Sequence, residues 1–380
     1  MHADTEQASP TERSRHDPRR PAASPTRPRA ADGRTPTPGV TPGILATGAC
    51  VPEQVVTNAS LAAALGVPAD WIVDRTGVHE RRVAAPGEAT SDLATHAARQ
   101  ALDRAGVDAA EVGLIILGTS TPDLPLPATA CRVQANLGAW GAYAMDLDAV
   151  CTGFVYALDV AHKIMRCDPT IGYAVVIGAD TYSRILDYTD RRTSVLFGDG
   201  AGAVVLGRSA DAAGIAYTRL GSDGRQHDLV RIPAGGSRAP ASTATVAHGG
   251  HYFTMDGRAV RAFAERKLPE LVADATAACG LTVADLDLLV PHQANVRLLR
   301  EVTKELGFVA DQVAISGTHY GNTGAASVPV TLDAAIAAGR VRPGARVLLA
   351  AFGGGMTWGS ALIIWPGGTA GQPTHEEPPA

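Results

Sequence analysis

The sequence predicts a layered α/β fold made of two similar halves, and three observations carry that expectation. Strands such as Leu114–Leu117, Ala174–Ile177, Leu288–Val290 and Val347–Leu349 are continuously apolar rather than alternating, the pattern of sheets covered by helices on both faces. Ala-rich stretches with helical periodicity lie between them, the alternation typical of α/β domains. Residues 105–116 (AGVDAAEVGLII) and 279–290 (CGLTVADLDLLV) share a helix end stopped by glycine (Gly106, Gly280), a polar turn and an apolar strand, 174 positions apart. A second echo pairs FGDGAGAVVL from Phe197 with FGGGMTWGSALII from Phe352. Two matches in the same order indicate an internal duplication, in which Gly118 falls opposite His292.

At 380 residues the chain exceeds what one core usually serves. Residues 1–40 are rich in Pro, Arg, Ser and Thr with almost no large apolar side chain, so they are expected to be a disordered, solvated tail. The N-terminal half is expected over 41–212, the C-terminal half over 213–366, and a second disordered tail over 367–380. Hydrophobic residues at 46% and charged residues at 19% place the chain among soluble globular proteins. A net charge of -5 supplies no basic field for nucleic acid. Five scattered cysteines (Cys50, Cys131, Cys151, Cys167, Cys279) without a CxxC argue against a disulfide framework or a zinc site and for a reducing cytoplasm. No apolar run approaches the roughly 20 residues of a membrane span, and no secretory signal pattern opens the chain.

The stretch GDGAGA at 198–203 imitates a dinucleotide fingerprint, but its glycines lead into the strand Val204-Val205-Leu206 instead of opening a helix. Tight turns are the reading there and at Gly353–Gly355. Cys151 is placed differently, in MDLDAVCTGFVYALDVAHKIM, at the turn from an apolar strand to a helix whose inward stripe is Phe154, Leu158, Ala161 and Met165. At a helix N-terminus the unpaired N–H groups favour thiolate, although a cysteine taken alone is more often a small buried hydrophobe. His292 ends an apolar strand in VPHQAN, and Asn322 occupies the small-residue turn HYGNTGAAS. Packing of two similar halves would bring Cys151 and His292 to one crevice, whereas His319 and Glu80 have no comparable setting.

These motifs, together with DWIVDRTGVHERR from Asp70, TDRRT from Thr189, VPHQANVRLLR and AFGGGMTWGSALI, resemble the β-ketoacyl-acyl carrier protein synthase III enzymes of the thiolase superfamily. The resemblance runs from about Ile44 to Pro366. It implies a thiolase-like fold in α/β/α/β/α layers, a Cys151-His292-Asn322 triad and an oxyanion hole from the backbone N–H groups of Cys151 and Gly354. Elongating synthases carry a second His where Asn322 stands, and thiolases a second Cys where Phe352 stands. The resemblance further implies acyl-CoA as donor, with Trp71 against the adenine, Arg75 and Arg191 near its face or phosphates, and Asn295 on the pantetheine arm. Leu126 and Phe352 would bound the acyl pocket, Leu126 across a homodimer interface, and Arg297 and Arg261 would meet malonyl-acyl carrier protein. Neither metal nor cofactor is implied.

Three departures stand out. Arg261-Ala262 replaces a usual Phe-Lys pair, which puts the apolar wall of the arm's tunnel and the carrier contact in question. Gly324 replaces a usual Ser, and Leu126 a bulky aromatic, which would admit longer or branched acyl chains and suits starter-unit loading for a polyketide. The rival chemistry is an acyltransferase that moves the acyl group to an alcohol, amine or carrier thiol without condensation. A papain-like peptidase also orders Cys, His and Asn, and the 141-residue Cys151 to His292 spacing falls in its usual range. Its C-G-[SA]-C-[WY] signature is absent, since Cys151 sits in AVCTGF. A partner subunit with a decayed site is disfavoured by the intact triad.

Overall fold

The computed structural model describes residues 41–209 and 214–366; the expected tails at 1–40 and 367–380 and the expected boundary at 212/213 lie outside the described residues. Strands β1 (Thr41–Cys50), β2 (Val112–Gly118), β3 (Tyr143–Leu147), β4 (Tyr173–Thr181) and β5 (Asp199–Ser209) form one sheet in the order β1-β5-β4-β2-β3. Strands β6 (Gly214–Ser222), β7 (Leu288–Pro291), β8 (Arg346–Gly353) and β9 (Thr357–Ile364) form a second in the order β7-β8-β9-β6. Parallel pairing (β3-β2-β4 and β7-β8) joins antiparallel pairing (β4-β5-β1 and β8-β9-β6) in each sheet.

The helices used below are α1 (Ala69–Thr76), α2 (Thr90–Ala105), α3 (Gly153–Cys167), α4 (Gly257–Cys279), α5 (Val296–Glu305) and α6 (Ser327–Ala337). Successive strand residues point to opposite faces, so each apolar strand serves two cores. In β2, Leu114 and Ile116 pack toward α3 and α6, while Ile115 and Leu117 pack toward α2. In the second sheet Leu288, Val290, Val347 and Leu349 join the α3 and α6 core, and Leu289 and Leu348 join α4 and α5. The result is the five-layered α/β/α/β/α thiolase-like arrangement, with α3 and α6 in the middle.

Helix α3 forms there because Phe154, Leu158, Ala161 and Met165 recur at helical spacing, and all four are fully buried. It stops at Cys167, one residue short of the Asp168-Pro169 step, where helical backbone is disfavoured. A fully buried Phe, Leu or Met stabilises by about 1.5–3 kcal/mol, so α3 is strongly anchored and Cys151 just before it is held rigidly. The duplicated segments match in detail. Gly106 and Gly280 cap α2 and α4 with φ of 64° and 65°, a single 3₁₀ turn follows each, and the chain then enters β2 or β7. No helix among the described residues is long and apolar enough to cross a membrane.

Candidate active site

The ends of β3, β7 and β8 and the turn before α6 converge on one cavity of about 360 Å³. Cys151 occupies a single 3₁₀ turn, Val150–Thr152, between β3 and α3. Val150 has φ of 50°, a conformation that costs a β-branched residue on the order of 1–3 kcal/mol and persists because the surroundings hold it. The Thr152 hydroxyl lies 2.9 Å from that of Thr357, which lies 3.0 Å from the carbonyl oxygens of both Ala149 and Gly354. These contacts fasten the cysteine turn to the glycine turn. A Cβ on Gly353 would stand 2.9 Å from Cys151 N, so only glycine lets the end of β8 approach the nucleophile this closely.

The electrostatics correct the sequence expectation for Cys151. Burial, reinforced by the charge of Asp180, pushes its thiol up to about 12, and the opposing hydrogen bonds from the Tyr182 hydroxyl and the Cys151 backbone are too weak to reverse this. The helix end therefore does not leave a standing thiolate, because desolvation disfavours the charged form more strongly. His292, 1% exposed, follows β7, and its N–H donates to the Ala350 carbonyl at 2.8 Å. Its Nδ1 lies 2.7 Å from Ser327 Oγ at the start of α6, and the Phe352 ring stands edge-on at 5.5 Å. Burial drives this imidazole down to about 3, so thiol and imidazole are both neutral near pH 7. Asn322 is fixed by its N–H to Leu196 O at 2.8 Å and by Gly198 N–H to its own carbonyl at 3.0 Å. Its Oδ1 accepts from Gly324 N at 2.9 Å, which leaves the Nδ2 hydrogens as donors.

Cys151, His292, Asn322, Phe352 and Gly354 all line the cavity, as do Trp71, Arg75, Arg191, Asn295 and Arg261. At the mouth the Arg75 and Arg191 guanidinium groups lie 5.8 and 5.7 Å from the Trp71 ring centre, and neither has an ion-pair partner among the described residues. The arm of the cavity has an apolar wall despite the Arg261-Ala262 departure, supplied by Val260, Ala264, Met255 and Leu298.

Other expected residues sit differently. Asn295, which lines the cavity, also bonds within the chain: Oδ1 accepts from Leu298 N at 3.0 Å as the N-cap of α5, and Nδ2 donates to Arg75 O at 3.0 Å, which leaves its second Nδ2 hydrogen free. Arg297 does not line the cavity; it donates to Asp74 O at 2.7 Å and to Glu301 at 2.8 Å. Arg261 bonds Glu265 at 2.8 Å and the same Glu301 at 2.9 Å, so acids compensate the basic face expected for carrier docking. Leu126 is 83% exposed and is not part of this chain's cavity. His319 and Glu80 pair at 3.5 Å on the surface. Sequence reasoning missed Ser327, Asp180, Tyr182 and Thr357. Of these, Ser327 ends the YGNTGAAS motif already singled out, and its place behind His292 depends on how α6 packs.

Residues 145–224 match the family model 3-oxoacyl-[acyl-carrier-protein] synthase III, and residues 276–365 its C-terminal counterpart. The chain is 48% identical to a β-ketoacyl-[acyl-carrier-protein] synthase III of Paramagnetospirillum magneticum, over 84% of this chain and 98% of that one. It is 50% identical to an acetoacetyl CoA synthase of a Streptomyces species, over 85% and 98%. Among solved structures, the 3-oxoacyl-(acyl carrier protein) synthase III of Pseudomonas aeruginosa superposes with a TM-score of 0.79 at 41% identity, covering 86% of this chain and 98% of that one.

Proposed function

This chain belongs to the β-ketoacyl-acyl carrier protein synthase III family, and we propose that Cys151 accepts an acyl group from acyl-CoA and passes it to a malonyl thioester with loss of carbon dioxide. The observation that carries this reading is a neutral Cys151, a neutral His292 and the amide donors of Asn322 on one cavity. The reaction is the first condensation of a fatty-acid or polyketide chain.

In the first step the Cys151 sulfur attacks the acyl-CoA carbonyl while its proton moves to His292 Nε2. The N–H groups of Cys151 and Gly354 receive the oxyanion, each such donor lowering the barrier by roughly 3–4 kcal/mol. Collapse breaks the bond to CoA sulfur, which leaves with the proton. Trp71, Arg75 and Arg191 hold the CoA nucleotide by stacking and charge. In the second step His292 Nε2–H and Asn322 Nδ2–H donate to the malonyl thioester carbonyl, and the electron pair released with carbon dioxide forms an enolate there. That carbanion attacks the acyl-Cys151 carbonyl, the carbon–sulfur bond breaks, a β-ketoacyl thioester leaves, and the expelled Cys151 sulfur takes one proton from solvent to return to the thiol. A neutral imidazole suits this step, because the enolate needs hydrogen-bond donors, and the one proton consumed goes to the expelled Cys151 sulfur. With that proton counted, thiol, imidazole and thioester account for every bond change, and the steps call for no metal or redox cofactor.

A specific observation favours a second reading of the extender. With Arg261 and Arg297 both paired to Glu301, the face expected to meet an acidic carrier protein is compensated, and the 50% identical relative is an acetoacetyl CoA synthase. On this reading malonyl-CoA replaces malonyl-carrier protein. A homodimer is part of this reading, supported by β3 as an open sheet edge, by Tyr143 on it and Trp140 just before it at 46% and 74% exposure, and by Leu126 at 83%. Free thiols at all five cysteines suit the cytoplasm. The test supplies acetyl-CoA with malonyl-CoA or malonyl-carrier protein and follows carbon dioxide and β-ketoacyl product. Product with release of carbon dioxide supports condensation and identifies the extender; acetyl transfer without that release supports the acyltransferase instead.

A further inference from the structure

We propose that Thr357 is a positioning residue for the acyl-transfer steps. With Thr152 behind it, its hydroxyl holds the cysteine turn and the glycine turn in register, so that the N–H groups of Cys151 and Gly354 meet one oxyanion. The proposal rests on the reading of those two N–H groups as the oxyanion hole, made above.

The two turns come from different sheets. Cys151 lies between β3 and α3, and Gly354 lies between β8 and β9, whose first residue is Thr357. Donors contributed by separate segments share a target only while those segments keep a fixed separation. Among the described residues no backbone hydrogen bond joins residues 149–152 to residues 353–357, and the Thr357 hydroxyl supplies the link instead. Its oxygen lies 3.0 Å from Ala149 O and 3.0 Å from Gly354 O. The single hydrogen is shared between the two carbonyls, and the fully buried Thr152, its hydroxyl 2.9 Å away, donates to the Thr357 oxygen.

Each carbonyl is one step from a donor of the oxyanion hole. Gly354 O belongs to the residue whose N–H is the second donor. Ala149 O precedes Val150, whose φ of 50° sets where the next N–H, that of Cys151, points. Such a conformation needs a tie from outside the turn, because the other bond to Ala149 O, from Thr152 N at 3.1 Å, is internal to it. The turns also touch: a Cβ on Gly354 would stand 3.2 Å from Val150 Cγ2, and one on Gly353 3.1 Å from Cys151 Cβ. Contact repulsion resists their closer approach, and the hydroxyl bonds resist their separation.

Thr357 does not line the cavity, and no proton passes through it. Its influence reaches the reaction through the Ala149 and Gly354 backbones, so it is confined to steps in which a carbonyl oxygen gains charge. Those are the attack of the thiol on the acyl donor and the attack of the carbanion on acyl-Cys151.

The test compares two rates at Cys151, both followed by mass spectrometry, in full-length wild type, Thr357→Val and Thr357→Ser. One is acetylation by acetyl-CoA; the other is alkylation by iodoacetamide, which displaces iodide at a saturated carbon and forms no oxyanion. Thr357→Val, close in shape but without the hydroxyl, is expected to acetylate about thirtyfold more slowly with KM unchanged. Its alkylation stays at the wild-type rate, and Thr357→Ser restores most of the acetylation. Should Thr357→Val fold poorly, Thr152→Val removes only the donor behind Thr357 and is expected to slow acetylation about fivefold, again without changing alkylation. Unchanged acetylation in the valine variants, or acetylation and alkylation falling together, overturns the proposal and leaves Thr357 as packing. A wild type that is alkylated but takes no acetyl group overturns the acyl-transfer reading itself, and the proposal with it.

Discussion

His292 Nδ1 and Ser327 Oγ lie 2.7 Å apart with both groups buried. A hydroxyl can donate to Nδ1 or accept from it, so Ser327 supports either tautomer of the imidazole. With Nδ1–H donating to Ser327, Nε2 is free to take the thiol proton. With Ser327 donating to Nδ1, Nε2 carries the hydrogen that the malonyl carbonyl requires. One side chain can therefore serve both half-reactions without becoming charged between them.

Removing that hydroxyl is expected to slow both half-reactions. Ser327→Ala leaves Nδ1 without its buried partner, and the loss of one such bond corresponds to about a fivefold to tenfold fall in kcat. KM for acyl-CoA stays unchanged because Ser327 does not line the cavity. Separate rates for acetyl-enzyme formation and for carbon dioxide release check both statements, and a change in KM alone contradicts them.

The depressed value of His292 has a sign in stability. The folded imidazole titrates at about 3 against an ordinary 6.5, so on acidification the unfolded chain binds a proton first. The stabilisation is fully present above pH 6.5 and is lost as pH falls toward 3, on the order of 5 kcal/mol in all. His292→Asn removes this component, and denaturant unfolding of the two proteins between pH 7 and pH 4 is expected to show a shallower loss in the variant. Parallel profiles contradict a buried neutral imidazole.

Trp71 with Arg75 and Arg191 grips the nucleotide end of CoA. Trp71→Ala is expected to raise KM for acetyl-CoA about tenfold, the scale of a lost stacking and cation–π contact. The rate with an acetyl pantetheine thioester that lacks the nucleotide stays the same. Equal losses with both donors place the effect elsewhere.

Arg81 is a buried guanidinium that burial lowers to about 10. It donates to Asn58 Oδ1 at 2.8 Å, Val56 O at 3.2 Å and Val195 O at 2.7 Å, and so ties the segment before Phe197, and through it Asn322, to the antiparallel pair formed by Val55–Thr57 and Glu80–Arg82. Arg81→Ala leaves three acceptors, two of them buried, short of a donor, with an expected loss of about 3 kcal/mol in unfolding free energy. Chemical denaturation measures this, and a loss below about 1 kcal/mol contradicts the reading.

What the sequence revealed depended on how locally each feature is written. Continuous apolar strands and the Gly106 and Gly280 caps are local, so the layers and the duplication were legible. Cys151, His292 and Asn322 each end a strand or occupy a small-residue turn, and a crossing of two similar halves was enough to bring them together. Ser327 bonds a residue 35 positions away along the chain, and no local pattern marks it. Asn295 lines the cavity, and its further role as the N-cap of α5 went unread because a residue before a helix can cap it and face a cavity at once. The Cys151 thiol was misjudged because helix-end polarity can be read from position, whereas desolvation appears only when the surrounding layers are in place. Arg261 and Arg297 look basic in sequence, and only the packing of α4 beside α5 reveals Glu301 between them.

The central claim is that Cys151 carries the acyl group. Intact-protein mass spectrometry after incubation with acetyl-CoA tests it directly, with Cys151→Ala as control. The account predicts one acetyl increment on the wild type, none on the variant, and loss of the increment when malonyl-CoA or malonyl-carrier protein is added. No increment on the wild type, or an equal increment on Cys151→Ala, contradicts it.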